Sequence, residues 1–528
     1  MAGQSAEFPV ATHAAVFTRR DLARILGLLA FSRSTLGKDY DSQHDPFSLG
    51  VASGDPGSSS VVLWTRLAPQ LTGGRNPENQ SIRVHWELAS EPRFRRIEAQ
   101  GHANAVPELA HSIHVEVDGL KPGATYFYRF TAGIHRSPTG RTRTLADYDS
   151  GDRDACINFA TAACQDYTQG YFNAYEHVAR DNLDFVIHLG DYIYDWPSAP
   201  GARWGSRDFV RRHLVVDPKT LDDFRQLHGQ YKREVSLQRA HAAHPWIAVP
   251  DNHDGIDDAS TAGARKSAAF QAYFEHMPLR LVSRPAPVTH SMQRHFVSDL
   301  GDLARFIFLD TRQFRDSQSV CGAGTTTPIP GSLNPSIQAS CGELRTPGRT
   351  MLGQAQLDFL LESLSASRAR WNFIVSTCVM APFDFDPPRK AHYLYGWDGY
   401  PEERARILAH IQDSAVRNPV VLSGDWHSFW FNDVTVPGTP RFQAAPVEFA
   451  TSGLTSRYPG DAALMWKAKA ANPHVRYLNT EDQGYMRFSI TSAKLAAACV
   501  AVDCKAPEGA PAREVARFEV DGLSPDQG

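Results

Sequence analysis

The sequence predicts an α/β chain, with a layered α/β core preceded by an N-terminal β-sandwich. Three observations predict it. Between about 47 and 145, short β-branched and aromatic runs are separated by Gly, Pro and Asn, with nothing helical between them. From about 153, apolar strand-like runs alternate with helical segments. Five of those runs end in side chains able to bind metals or move protons. At 528 residues the chain exceeds what one compact core usually holds, so more than one domain is expected. The divisions fall at 1–43, a leader and linker; 44–148, the sandwich; and 149–528, the α/β domain.

The leader contains "FTRRDLARILGLLAF", in which Arg19 and Arg20 precede a short apolar segment interrupted by Arg24. It resembles a twin-arginine export signal, which implies the twin-arginine machinery as a partner and a periplasmic or extracellular location. An amphipathic first helix is the competing reading. In the sandwich, "SVVLWTRLAP" and "SIRVHWEL" read as strands, and "VDGLKPGATYFYRF" resembles the strand–turn–strand of a fibronectin type III-like domain. No cluster of reactive side chains falls there.

In the α/β domain the strand candidates are "INFATAAC", "LDFVIHLGD", "PWIAVPDNHD", "ARFIFLDTRQ", "WNFIVSTCVMAP" and "NPVVLSGDWHS". Runs this continuously apolar suit strands buried on both faces. Leu357, Leu360, Leu361 and Leu364 recur at helical spacing. A second helix opens at Pro401 with two Glu in its first turn, where the helix dipole favours acidic side chains. A net charge of −4 gives no basic face for nucleic acid, and no apolar run approaches the ~20 residues of a membrane span.

Seven cysteines divide into two kinds. Cys321 and Cys341 flank a Gly/Thr/Pro/Ser-rich insertion, and Cys499 and Cys504 lie close together; both pairs are expected as disulfides in an oxidising compartment. Closing the first loop contributes about 3 kcal/mol by chain entropy. Cys156 and Cys378 read as buried thiols, whereas Cys164 ends a strand where ligands of open α/β sheets collect.

The other strand ends supply Asp191 and Tyr194, then Asn252, His253 and Asp254, then Asp310 and Arg312, then Asp425 and His427. On an extended backbone Asp425 and His427 point to the same side, so that both donors reach into one site, while Trp426 points to the other and packs beneath. A thiolate, a phenolate and an imidazole favour Fe(III), whereas Asn and Asp oxygens suit a harder divalent ion. Two ions sharing Asp191 would lower the pKa of a bound water and clamp a phosphoryl group.

"GDYIY", "DNHD" and "SGDWHS" resemble the G-D, G-N-H-D/E and G-H-x-H blocks of calcineurin-like metallophosphatases. With "GVASGDPGSSSVVLWTRLAP", "AACQDYTQGYFNAY", "LDTRQFR", "RTMLGQAQLDFL" and "WDGYPEER", the chain from about 47 to 490 is similar to PhoD-type alkaline phosphatases and phosphodiesterases. The resemblance implies a two-sheet metallophosphatase sandwich flanked by helices. It further implies Fe(III) on Cys164, Asp191, Tyr194 and His427, and Ca(II) on Asp191, Asn252 and Asp425. His253 would contact phosphate and protonate the leaving group, with Asp254 orienting it. Asp310 and Arg312 are expected to form a salt bridge outside the ligand set.

The activity so implied is exported, metal-dependent hydrolysis of phosphomonoesters and phosphodiesters, with small phosphate esters as substrates. A phospholipase D-like phosphodiesterase is the alternative within that chemistry. A secreted binding protein on the same scaffold is the alternative outside it.

Overall fold

The computed structural model describes residues 37–75, 79–148, 155–196, 209–256, 263–285, 291–318, 320–321, 336–435 and 445–522. Arg19 and Arg20, and with them the export signal, lie outside the described residues.

Two large sheets face each other. The first runs, in spatial order, Ala512–Asp521, Lys494–Val502, Gly484–Ile490, Ile157–Ala162, Phe185–His188, Pro245–Ala248, Val51–Gly54, Val61–Arg66 and Ser112–Val117. The second runs Phe296–Leu300, Ala304–Phe308, Trp371–Val375, Pro419–Ser423, Val447–Ala450, Phe429–Asp433 and Val475–Asn479. Alternation along each strand decides what fills the space between. Phe159, Phe185 and Phe488 from one sheet and Phe306, Phe373 and Phe449 from the other point inward and are fully or almost fully buried. Phe159 lies edge-on to Phe306 at 5.4 Å and stacks on Phe488 at 4.7 Å. Burial of each such ring stabilises by roughly 1.5–3 kcal/mol.

The opposite strand faces are covered by helices. Phe224, Leu227 and Tyr231 of Leu221–Lys232, with Phe270, Tyr273 and Phe274 of Gly263–His276, pack over Ala160, Val186 and Trp246. On the second sheet, Gln354–Ser365 buries Leu357, Leu360 and Leu364, and Pro401–Asp413 buries Ile407, Leu408 and Ile411. Pro401 occupies the first turn as expected. Glu403, however, is buried and accepts the backbone N–H groups of Met351 and Leu352 at 3.2 and 3.1 Å.

The N-terminal β-sandwich shares a sheet with this core. Val51–Gly54 runs parallel to Pro245–Ala248, and Val61–Arg66 and Ser112–Val117 continue the same sheet. A five-stranded sheet that includes Ile82–Ala89 and Thr125–Ala132 closes over them, burying Val84, Leu88, Tyr128 and Phe130 against Val61, Leu63 and Val115.

Cys321 and Cys341 are bonded, with Cα atoms 5.7 Å apart. Cys499 and Cys504 are not. Cys499 faces the inter-sheet core from the middle of a strand, whereas Cys504 lies past that strand's end against Gly170. The strand ends between the two, so the thiols enter different environments. Among the described residues, no helix is long and apolar enough to cross a membrane.

Candidate metal centre

Four strand ends deliver the candidate ligands. Cys164 follows Ile157–Ala162, Asp191 follows Phe185–His188, Asn252 follows Pro245–Ala248, and Asp425 and His427 follow Pro419–Ser423. The first three strands lie in one sheet and the fourth in the other, so the site straddles the carboxyl edges of both. The backbone at 425–427 is not extended. Asp425 and His427 have φ of 67° and 50°, and Cys164 and Asp191 have 52° and 54°. A tight turn, in which the Trp426 N–H donates to the Gly424 carbonyl, brings the two donors together. Four non-glycine residues in the left-handed region at one place constitute stored strain, which clusters at functional sites. Gly190 is required beside them: its φ is 96°, and a Cβ there would lie 2.3 Å from that of Asp251.

The ligand atoms of Cys164, Asp191 and His427 lie within 4.8 Å of one another. The Tyr194 hydroxyl joins them, 3.2 Å from Asp191 Oδ2 and 3.0 Å from His427 Nε2. The Cys164 thiol is 3.5 Å from the same carboxylate oxygen. His427 Nδ1 bonds the Arg457 carbonyl at 3.0 Å, which fixes the tautomer and turns Nε2 toward the cluster. Ser456 donates to the Tyr194 hydroxyl at 2.9 Å.

The donor set fits bound cations. Asn252 Oδ1 and Asp425 Oδ2 are buried, and neither has a hydrogen-bond partner among the described residues. An unsatisfied buried acceptor costs about 1–3 kcal/mol, and two beside one carboxylate cluster suit a bound cation. Burial, reinforced by Asp251 at both residues and by Asp425 at Asp191, raises Asp191 to about 7 and Asp425 to about 6. Burial likewise drives the Cys164 thiol and Tyr194 phenol well above their ordinary values. It lowers His427 to about 4, which keeps the imidazole neutral and able to ligate. A cation inverts this balance for the acids, favouring carboxylate, thiolate and phenolate.

Asp254 does not orient His253. Asp254 is fully buried and accepts the backbone N–H groups of Tyr192, Ile193 and Asp251 at 3.0, 3.2 and 2.8 Å, which shapes the loop. Asp195 takes the orienting role, with Oδ1 3.3 Å from His253 Nδ1 and Oδ2 bonded to Arg265. The imidazole packs on the rings of both Tyr194 and Trp196, at 4.5 and 4.1 Å, and those two rings also touch each other at 5.9 Å. The sequence signal for Asp195 was a second carboxylate in "GDYIYDW", four residues after Asp191.

The expected salt bridge between Asp310 and Arg312 is also replaced. Asp310 Oδ1 accepts the backbone N–H of Arg312 and of Gln313, at 3.0 and 2.9 Å, a turn motif typical of Asp. The Arg312 guanidinium reaches instead to Asp251, 2.9 Å from Oδ2, and to Asp425 Oδ1 at 2.7 Å. Asp251, within "VPDNHD", thus anchors the cation that holds Asp425.

Residues 159–499 match the family model for PhoD-like phosphatase, and residues 32–146 match that of the PhoD-like phosphatase N-terminal domain. The chain belongs to the PhoD-like phosphatase family. It is therefore a hydrolase of phosphoric ester bonds, on a metallophosphatase fold. Alkaline phosphatase D of Bacillus subtilis (strain 168) is 39% identical over 462 residues, covering 84% of this chain and 76% of that protein. A solved structure of PhoD superposes with a TM-score of 0.83 at 36% identity, over 91% of each chain. The purple acid phosphatase PPD1 of yellow lupin (Lupinus luteus) superposes at 0.54 and 10% identity, over 89% of this chain and 74% of that one, and shares the fold.

Proposed function

We propose that this PhoD-like phosphatase is an exported alkaline phosphatase that hydrolyses phosphomonoesters and phosphodiesters at a mixed Fe(III) and Ca(II) centre. The observation that carries the reading is the pairing of one tight donor cluster with two unsatisfied buried oxygens, Asn252 Oδ1 and Asp425 Oδ2. Cys164, Asp191, Tyr194 and His427 would hold iron, and Asp191, Asn252 and Asp425 would hold calcium. When bound, the ions supply Lewis acidity that lowers the pKa of water and neutralises phosphoryl oxygens.

The chain's own groups do the rest. Asp191 Oδ1 accepts the backbone N–H of His253 at 3.0 Å, so the ligand loop and the acid are fixed to each other. Asp195 engages Nδ1 and stabilises the charged imidazolium, which assigns proton donation to Nε2. Arg312 holds Asp425 in one orientation. The half-buried Asn252, His253 and Asp425 form the face over which an ester enters. Export is supported by the Cys321–Cys341 disulfide, a bond that persists in oxidising compartments.

Asp191→Asn tests the reading. The expected result is loss of bound metal together with loss of 4-nitrophenyl phosphate hydrolysis. Wild-type turnover in the variant would overturn the ligand assignment. Cell fractionation tests export, with the protein expected outside the cytoplasm.

A further inference from the structure

Aromatic rings pack against the half-buried residues of the site and against the turn that carries Asp425. Cys164, Asp191, Tyr194 and His427 are sealed, so an ester approaches over Asn252, His253 and Asp425. Trp196 stands on one flank, against His253 at 4.1 Å. On the other, Trp426 occupies the turn between Asp425 and His427 and meets the half-buried Tyr393 edge-on at 5.0 Å. Next along the chain, Tyr395 covers the Arg312 guanidinium at 4.7 Å, and Arg312 in turn holds Asp425.

What fixes Tyr393 is the insertion. Its strand, Ala391–Tyr393, pairs antiparallel with Ile337–Ala339, with Ile337 directly opposite Tyr393. Ile337 packs in the same apolar cluster as Trp426 and Phe385. The Leu394 N–H donates to the Ser336 carbonyl at 2.9 Å, and the Leu394 side chain packs on the Cys321–Cys341 disulfide. The stretch 391–395 is thus pinned to the disulfide on one side and abuts the ligand turn on the other.

We propose that Tyr393, held at the site's open edge by the disulfide-stapled two-stranded sheet, is a specificity-determining residue that selects phosphate esters with flat aromatic leaving groups. The inference rests on the phosphatase reading above. On this reading a leaving group departing toward His253 passes Trp196, which touches His253, and Tyr393, which touches the turn that carries Asp425. A ring placed there gains aromatic contact that a short alkyl group cannot make. Because the wall is fixed before the ester arrives, little ordering is needed on binding. Cys321 and Cys341 act through Tyr393 and are positioning residues.

The test compares equilibrium binding of phenylphosphonate and methylphosphonate to the full-length protein as purified. The wild type is expected to bind phenylphosphonate about tenfold more tightly. Tyr393→Ala should abolish that preference and Tyr393→Phe should keep it. The double variant Cys321→Ser/Cys341→Ser should reduce it. Methylphosphonate affinity should stay within about twofold in all three, because a phosphoryl group is gripped elsewhere. Tyr393→Leu replaces the alanine variant if that one does not fold. Equal affinity for the two ligands in the wild type, or an intact preference in Tyr393→Ala, would overturn the proposal. So would parallel weakening of both ligands, which marks a merely structural residue. Binding of neither phosphonate by the wild type would overturn the phosphatase reading itself.

Discussion

Replacing Asp195 by Asn removes the negative charge beside His253 while keeping the size of the side chain. The two groups are 3.3 Å apart, and each side chain is about 15% exposed (14% and 15%). Two unit charges at that distance interact by roughly 1.3 kcal/mol in bulk water and about 5 kcal/mol at an effective dielectric of 20. Partial exposure and the second partner, Arg265, place the value toward the low end, near ~2 kcal/mol. That corresponds to about a thirtyfold loss in kcat where protonation of the leaving group limits the rate.

The pH profile should respond with a defined sign. The imidazolium loses its counter-ion, so the alkaline limb of kcat moves to lower pH. Leaving-group dependence isolates the role. An alkyl phosphate, which needs a proton on departure, should show the full loss, whereas 2,4-dinitrophenyl phosphate should lose less than about threefold. Equal losses for the two esters would refute the assignment of His253 as the acid and of Asp195 as its support.

Other outcomes follow from the same geometry. Asp191 and Asp425 have folded-state pKa values of about 7 and 6, above the ordinary carboxylate value, so metal-free protein is destabilised as pH rises from about 4 to 7. Titration with Ca(II) at pH 6 should therefore release protons, detectable with an indicator dye, and the release should shrink above pH 8. Arg312→Met leaves Asp251 and Asp425 without their shared cation and should destabilise metal-free protein by about 3–5 kcal/mol, read from chemical denaturation. Bound Ca(II) should restore part of that loss in Arg312→Met, because it replaces the missing charge at Asp425.

Much of this arrangement was legible in the sequence, for identifiable reasons. Strands such as Phe185–His188 and Pro419–Ser423 are buried on both faces, so their apolar runs stand out, and the polar residues that follow mark the sheet edge. The donor types at Cys164, Asp191, Tyr194, Asn252, Asp425 and His427 could be read directly. How the last two converge could not, because left-handed φ values at 425 and 427 depend on packing across the loops. Partner choice was the other limit. Asp254 turned to three backbone N–H groups nearby, which left His253 to Asp195. Asp310 likewise satisfied its own turn, and the long Arg312 side chain crossed to Asp251 and Asp425. Local hydrogen bonding settles such competitions, and spacing alone does not reveal the winner. The mispairing of Cys499 with Cys504 has the same origin, since proximity in sequence says nothing of which face each thiol takes.

The central claim is that the Tyr194 phenol and its neighbours bind Fe(III). The direct measurement is the visible absorption spectrum of the purified, untagged protein beside that of Tyr194→Phe, with metal content determined on both. A broad visible band in the wild type that shifts or disappears in Tyr194→Phe is the predicted result. A colourless, iron-free wild type that hydrolyses phosphate esters at full rate would contradict it.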